Sequence, residues 1–200
     1  MSPSPPPKPT SPWKPLILRG ARQVGKTWAL QRFGETEYGD VAYFNFEEDK
    51  RLASFFENDR SPERIIRNLS LYRKREILPG HTLLVLDEIQ ESNDALNALK
   101  YFCEEGGGHH VAAAGSLIGV KLSAPGSFPV GKVDFLEMGP LLFPEFLAAA
   151  GEGELRRLIE ETKEFRPYPG PIHARLIELL RLYYFIGGLP EAISVYLEGK

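Results

Sequence analysis

The sequence lacks the features that mark secreted, membrane-spanning or strongly basic proteins. Its 200 residues include one cysteine, Cys103, which cannot form an internal disulfide and has no companion for a zinc site. No segment approaches the roughly 18 consecutive apolar residues of a transmembrane helix. The formal net charge is only −3, which argues against binding to nucleic acid through bulk electrostatics. We therefore expect a cytoplasmic protein that does not contact a membrane.

The first fifteen residues differ in composition from the rest of the chain. Seven of them are prolines, and they contain no apolar run of the kind found in a signal peptide. Proline removes backbone donors and blocks helix formation. We interpret residues 1–15 as a disordered or polyproline-like leader, with binding to a partner as the alternative.

Hydrophobic residues make up 42% of the chain, enough for a buried core. Five short apolar or alternating runs predict strands, at residues 16–19, 41–46, 82–86, 111–114 and 132–137. Helical patterns separate the first four runs, and only helical patterns follow residue 143. This order predicts an α/β domain at residues 16–140, with helices on both faces of a parallel sheet, and then a helical subdomain or lid at 141–200.

A phosphate-binding pattern, G-x-x-x-x-G-K-[ST], follows the first predicted strand. It reads Gly20-Ala21-Arg22-Gln23-Val24-Gly25-Lys26-Thr27 and precedes a predicted helix, which is the context that a P-loop requires. Glycine allows the tight turn and the close approach of the backbone, and the loop amides and helix N-terminus favour an anion. Lys26 is predicted to contact the β- and γ-phosphates, and Thr27 to bind Mg²⁺. The alternative is a chance glycine-rich turn.

Two acids, Asp87 and Glu88, follow the apolar run Leu83–Leu86. Ligands of open α/β sheets bind at the carboxyl ends of the strands, so these acids are expected to face the phosphate loop. Asp87 is predicted to hold Mg²⁺ and Glu88 to polarise the attacking water, with a solvated strand end as the alternative. Because the sequence has no Asn-Lys-x-Asp motif for guanine, we expect ATP rather than GTP.

Ser116 ends the fourth predicted strand. If that strand lies between the strand before the P-loop and the strand that ends at Asp87, Ser116 faces the γ-phosphate and can bind the attacking water. The alternative is a serine that caps a helix starting at Leu117.

Together, the P-loop, the segment Leu86-Asp-Glu-Ile-Gln90 and Gly115-Ser116 resemble the AAA-type ATPases of bacteria and archaea. Within them the chain is most similar to predicted ATP-binding proteins that carry a C-terminal domain of unknown function. Three further segments carry this resemblance, namely Val130–Val133, Met138–Leu147 and Gly187–Glu191. The similarity extends over about residues 16–197.

The resemblance implies a three-layer α/β/α P-loop fold whose five parallel strands are in the order 5-1-4-3-2. It also implies that Ser116 senses the nucleotide and that the turn at Gly187-Gly188-Leu189-Pro190 lies near it. Two departures stand out. Lys132 occupies a position where the family usually has an arginine, and lysine lacks the bidentate fork of a transition-state arginine. The chain is also shorter than its relatives, so we expect a fragment or a truncated product.

Six basic residues lie between Arg60 and Arg75. The start signal Ser61-Pro62-Glu63 and the stop at Pro79-Gly80 predict a helix from Ser61 to about Ile77 around them. Its basic face either contacts nucleic acid or a partner, or is a solvated face diluted by nearby acids.

Three functions fit these observations. The first is an ATPase in which hydrolysis drives a conformational change. The second is a nucleotide-binding switch with little turnover, which Lys132 and the short chain favour. The third is a small-molecule kinase, although the helices after residue 138 offer few arginines for a lid. ATP and Mg²⁺ are the expected ligands, while a homo-oligomer and a protein or DNA partner are left open.

Overall fold

The computed structural model describes residues 13–57, 60–116, 131–164 and 167–199. These residues form two compact units. The first contains the chain up to Gly20 together with Lys26–Met138, and the second contains Ala21–Gly25 together with the chain from Gly139. The first twelve residues of the proline-rich leader, and the segment after Ser116 in which a helix was the alternative prediction, lie outside the described residues.

The first unit contains a five-stranded sheet and its helices. Its strands are β1 (Leu16–Arg19), β2 (Asp40–Asn45), β3 (Thr82–Asp87), β4 (His110–Gly115) and β5 (Asp134–Glu137). Its described α-helices are α1 (Lys26–Glu37), α2 (Ser54–Glu57), α3 (Pro62–Arg73) and α4 (Asn93–Glu105). Short 3-10 helices occupy Lys50–Ala53 and Ile89–Glu91.

All the strand pairs of this sheet are parallel, and the strand order is β2-β3-β4-β1-β5. This is the predicted order 5-1-4-3-2 read from the opposite edge, so the predicted fold class is confirmed. β4 lies between β1 and β3, which meets the condition on which the interpretation of Ser116 depended.

Alternate residues of the strands pack into two separate clusters, one on each face of the sheet. Leu84 and Leu86 join a cluster with residues of α3 and α4. Leu83 and Val85 point the other way and pack with Leu30 of α1. Because side chains alternate along a strand, a strand buried on both faces has the continuous apolar sequence that residues 83–86 show.

The α3 helix ends at Arg73, so the prediction that it runs to Ile77 is wrong. Lys74 adopts the left-handed conformation that closes the helix (φ 56°). The cause is Asp40, whose side chain is 5% exposed and accepts hydrogen bonds from the Nη2 of Arg73 at 2.8 and 3.0 Å. The Nη1 of Arg75 lies 2.7 Å from the same carboxylate. A buried carboxylate needs such partners, and the chain leaves the helix to bring the second arginine to it.

The fifth strand begins at Asp134 rather than at Lys132. Gly131 and Lys132 belong to a turn in which Gly131 has a φ of 78°, a conformation that favours glycine. All four residues of β5 are exposed. The alternation seen in the sequence therefore does not correspond to one buried and one exposed face.

The second unit is helical from Phe143 onward. It consists of α5 (Phe143–Ala149), α6 (Gly153–Glu161), α7 (Gly170–Ile186) and α8 (Pro190–Glu198). Its core contains Phe146, Leu147, Leu176, Leu179 and Ile193. None of the helices in the described ranges is long and apolar enough to cross a membrane.

Two glycines shape the turn between α7 and α8. Gly187 has a φ of 82°. The backbone of Gly188 packs directly on Leu141, whose amide donates to the Gly188 carbonyl at 2.7 Å, and a Cβ on Gly188 would lie 2.5 Å from the Leu141 oxygen. This turn therefore requires glycine to fold. The predicted proximity of the turn to a nucleotide stays a prediction.

Candidate nucleotide-binding site

The sequence motifs converge on the carboxyl edge of the sheet in the first unit. β1 ends at Arg19, directly before the phosphate loop, and β3 ends at Asp87. Between them β4 ends at Gly115, which pairs with Arg19. Because the strands are parallel, all three ends lie at one edge, where α/β proteins bind their ligands.

The loop between β1 and α1 contains two residues with a positive φ. Gly25 has a φ of 95° and Gln23 a φ of 62°, values that are uncommon for a residue with a side chain and are found at functional loops. The Nζ atom of Lys26 donates to the carbonyl of Gly20 at 3.1 Å, and the lysine is only 6% exposed. The ammonium group is thus held back against the start of the loop rather than extended into solvent.

Thr27 and Asp87 form the pair expected of a magnesium site. The Thr27 hydroxyl donates to Oδ2 of Asp87 at 2.6 Å, and the backbone amide of Glu88 donates to Oδ1 at 2.9 Å. Asp87 is 1% exposed. Hydroxyl and carboxylate oxygens are the donors that Mg²⁺ prefers, with phosphate oxygens and water completing its shell. The described residues contain no group of three acidic, histidine or cysteine side chains that could hold the ion alone.

Glu88 has a left-handed backbone, with φ 49° and ψ 41°. Such a conformation is costly for a residue with a side chain and points to a functional constraint. The Glu88 carboxylate accepts a hydrogen bond from Nε2 of Gln90. Gln90 is 2% exposed, and its Oε1 has no hydrogen-bond partner among the described residues. The sequence motif located both residues but did not indicate that one would hold the other.

The structure adds Tyr43 and Asn45 of β2 to the site. The Tyr43 hydroxyl donates to Oδ2 of Asp87 at 2.8 Å, and Nδ2 of Asn45 donates to the Tyr43 oxygen at 3.2 Å. Burial, followed by the hydrogen bond to Asp87, raises the pKa of Tyr43 above the ordinary tyrosine value. The phenol is therefore a proton donor throughout the neutral range.

Ser116 lies one residue beyond the end of β4. Gly115 pairs with Arg19, so the same register carries Ser116 to the start of the phosphate loop. Its Oγ is buried and has no hydrogen-bond partner within the described ranges. Buried hydroxyls in proteins almost always have a partner, so this side chain is suited to contact a bound group.

Lys132 is not brought together with these residues. It precedes β5, whose first residue pairs with Leu16 at the amino end of β1. Its Nζ lies 3.0 Å from Oε1 of Glu104 near the end of α4, and that carboxylate raises the pKa of Lys132. A four-residue strand rises by about 13 Å, and this length separates Lys132 from the carboxyl edge.

Solved structures that resemble the chain include Drosophila ORC bound to DNA, with a TM-score of 0.54 and 14% identity over 92% of this chain and 54% of that chain. The replication initiator DnaA bound to AMPPCP and single-stranded DNA gives a TM-score of 0.49 and 18% identity over 92% and 54%. C. elegans PCH-2 gives 0.40 and 14% over 92% and 59%.

The chain thus spans little more than half the length of these structures. At such identities the likeness to ORC supports the fold alone. No curated protein matches the chain. A family model described as an AAA domain matches residues 12–147, which is more than half of the sequence. The chain therefore belongs to the AAA domain family, and it is a P-loop protein of the AAA+ ATPase type.

Proposed function

We propose that this chain binds ATP together with Mg²⁺, hydrolyses it, and uses the hydrolysis to change conformation. The observation that supports this most directly is the 2.6 Å hydrogen bond between Thr27 and the buried Asp87. It joins the end of the phosphate loop to the end of β3, which is the arrangement that P-loop proteins use for magnesium nucleotides.

The phosphates would be held by the loop and by the start of α1. Backbone amides at a helix N-terminus favour an anion. Lys26 begins α1, and its ammonium group would exchange the Gly20 carbonyl for the β- and γ-phosphate oxygens. A charged donor bound to a charged acceptor makes a stronger hydrogen bond than one bound to a neutral carbonyl, so this exchange is favourable.

Thr27 and Asp87 would hold Mg²⁺. When bound, the ion neutralises charge that develops on the transferred phosphoryl group. Thr27 can keep its proton on Asp87 while its oxygen faces the ion, so the pair seen in the structure is compatible with metal binding.

Glu88 is the proposed general base and Ser116 the proposed orienting group. Glu88 follows the metal-binding Asp87 directly, and a carboxylate there can accept the proton of the attacking water. The Ser116 hydroxyl, which has no hydrogen-bond partner among the described residues, would bind the water or the γ-phosphate. Lys132 lies near the amino ends of the strands, away from the phosphate loop. A catalytic role for it would therefore have to act on a nucleotide held by another copy of the chain.

The partner on which the conformational change would act is also a proposal. ORC is bound to DNA in the solved structure that the chain resembles, and DNA is therefore one partner to test. A homo-oligomer is a second, since transition-state cations of nucleotide hydrolases are often supplied by a neighbouring protein.

The first test is the binding of ATP by the purified chain, measured by isothermal titration calorimetry with magnesium and with EDTA. We expect binding in both conditions, tighter with magnesium, and release of phosphate only with magnesium. The same assay with added double-stranded DNA tests the partner. If the chain binds GTP as tightly as ATP, the inference drawn from the absent guanine motif is wrong. If the labelled γ-phosphate of ATP is transferred to a metabolite rather than to water, the result supports the kinase hypothesis.

One observation favours a second function, a nucleotide-binding switch with low turnover. Gln90 holds the Glu88 carboxylate from a buried position. A base engaged in this way is withdrawn from the water until a signal releases it.

Replacing Gln90 with leucine tests the switch, because leucine keeps the buried volume but removes the hydrogen bond. If Gln90 restrains Glu88, we expect the steady-state rate of ATP hydrolysis to rise several-fold while ATP affinity is unchanged. A fall in the rate would mean that Gln90 holds Glu88 in its working position, which favours the first proposal. Gln31→Leu, at a half-buried position of α1, is the control.

A further inference from the structure

The structure connects β2 to the magnesium half of the site through one phenol. Tyr43 and Asn45 are two residues apart and therefore lie on the same face of the strand. Asn45 pairs with Asp87 in the sheet register, so both side chains lie on the face where Asp87 meets Thr27. Neither belongs to a nucleotide-binding motif of the sequence.

Asp87 is fixed from three directions. Its Oδ2 accepts hydrogen bonds from Thr27 at 2.6 Å and from Tyr43 at 2.8 Å. Its Oδ1 accepts from the Glu88 amide at 2.9 Å. The terminal torsion of an aspartate is otherwise broad. With two donors on one oxygen and one on the other, the carboxylate plane has a single orientation.

The direction of the Tyr43 hydrogen bond follows from Asn45. The Oδ1 of Asn45 accepts from the backbone amides of Glu47 at 2.8 Å and Glu48 at 3.1 Å. This leaves Nδ2 as the group that faces Tyr43, and an amide nitrogen can only donate. The phenol oxygen therefore accepts from Asn45, and its own proton goes to Asp87.

We infer that Tyr43 is a positioning residue for the magnesium nucleotide, because its hydroxyl sets the orientation in which Asp87 meets Thr27. This inference rests on the proposed binding of ATP with magnesium. Tyr43 does not touch the nucleotide; it acts through Asp87. Its loss should therefore weaken the contribution of magnesium to nucleotide binding without changing the binding of the free nucleotide.

Tyr43→Phe is the direct test, and Tyr38→Phe is a matched control. Tyr38 also packs against the α1 face of the sheet, and its hydroxyl bonds to Nδ1 of His110 at 2.8 Å. Each variant removes a partly buried hydroxyl: Tyr38→Phe loses the bond to His110, and Tyr43→Phe loses the bonds to Asp87 and Asn45. Only Tyr43 contacts Asp87. The measured quantity is the ratio of the dissociation constants of a non-hydrolysable ATP analogue in EDTA and in saturating magnesium.

For Tyr43→Phe we expect this ratio to fall about tenfold, the effect of losing one hydrogen bond to a charged group, with the constant in EDTA unchanged. Tyr38→Phe should match the wild type in both conditions. Electron paramagnetic resonance of Mn²⁺ bound with the analogue gives a second readout, in which Tyr43→Phe should bind the ion more weakly.

Asn45→Asp provides a second variant if Tyr43→Phe does not fold. It keeps the oxygen that accepts from Glu47 and Glu48 but offers the Tyr43 proton a competing acceptor. Added negative charge alone would strengthen the magnesium effect, whereas loss of positioning weakens it. A weaker effect supports the inference, and a stronger one overturns it.

The outcomes separate the two proposals. If the wild-type chain binds no ATP analogue in either condition, the proposed function fails and this inference fails with it. Alternatively, the wild type binds the analogue more tightly with magnesium, while the ratio of dissociation constants for Tyr43→Phe stays within twofold of the ratio for Tyr38→Phe. In that case only the role of Tyr43 is overturned.

Discussion

Replacing Lys26 with alanine should weaken ATP binding at least 100-fold, which corresponds to about 2.8 kcal/mol. The lysine is 6% exposed and hydrogen-bonded to the Gly20 carbonyl at the start of the phosphate loop. Its ammonium group therefore lies directly against the backbone of the loop that is proposed to bind the phosphates. Without it, the triphosphate would lose the strong charge-assisted bonds to the lysine, and the loop amides and Mg²⁺ would have to hold it.

Isothermal titration with ATP measures this effect, and Lys50→Ala is the control. Lys50 is exposed and pairs with Glu91 at 3.0 Å. An exposed ion pair contributes little to stability, so the control should bind ATP like the wild type. Thermal unfolding without nucleotide should show both variants folded. An unchanged ATP affinity for Lys26→Ala would exclude the P-loop as the phosphate site.

Much of the fold of the first unit could be predicted because its strands are buried on both faces. A sequence such as Leu83–Leu86 has no polar alternation, and in the structure its residues enter two different hydrophobic clusters in turn. The glycines, prolines and caps around such runs then mark where they end. Ser92, for example, caps α4 by accepting a hydrogen bond from the Ala95 amide, and serine is one of the preferred residues at the start of a helix.

The end of α3 could not be predicted because it depends on a distant residue. The local pattern continues to Ile77, but Asp40 at the start of β2 forms salt bridges with Arg73 and Arg75. The pairing joins residues more than thirty positions apart, and only the folded sheet brings them together. The two short helices between Lys50 and Glu57 have four residues each, and such lengths are too short to show a periodic pattern in the sequence.

The residues of the site also fall into two groups, those that the sequence predicts and those that it does not. The phosphate loop, Asp87, Glu88 and Ser116 lie in local motifs whose spacing carries their chemistry. Tyr43 and Asn45 do not, because their contact with Asp87 depends on how β2 pairs with β3. A signal did exist. These two polar groups alternate with Ala42 and Phe44 at the carboxyl end of a strand, which places them on one face beside the neighbouring strand end.

Glu88→Gln is expected to separate binding from hydrolysis. Glutamine has nearly the same shape as glutamate and keeps an oxygen that can accept from Nε2 of Gln90, but it cannot take a proton from water. Asp87 and Thr27 are untouched, so magnesium and the phosphates should bind as before. We expect ATP affinity within about twofold of the wild type and a hydrolysis rate lower by at least 100-fold, the usual contribution of a general base.

Single-turnover hydrolysis of labelled ATP measures the chemical step, and titration calorimetry measures binding in the same samples. Glu91→Gln is the control, because Glu91 lies three residues away and pairs with the exposed Lys50. A general base predicts loss of the rate in Glu88→Gln alone. Equal loss of affinity and rate would instead mean that Glu88 helps to hold the nucleotide. An unchanged rate would mean that another group activates the water, and the left-handed backbone at Glu88 would then serve only to turn the chain out of β3.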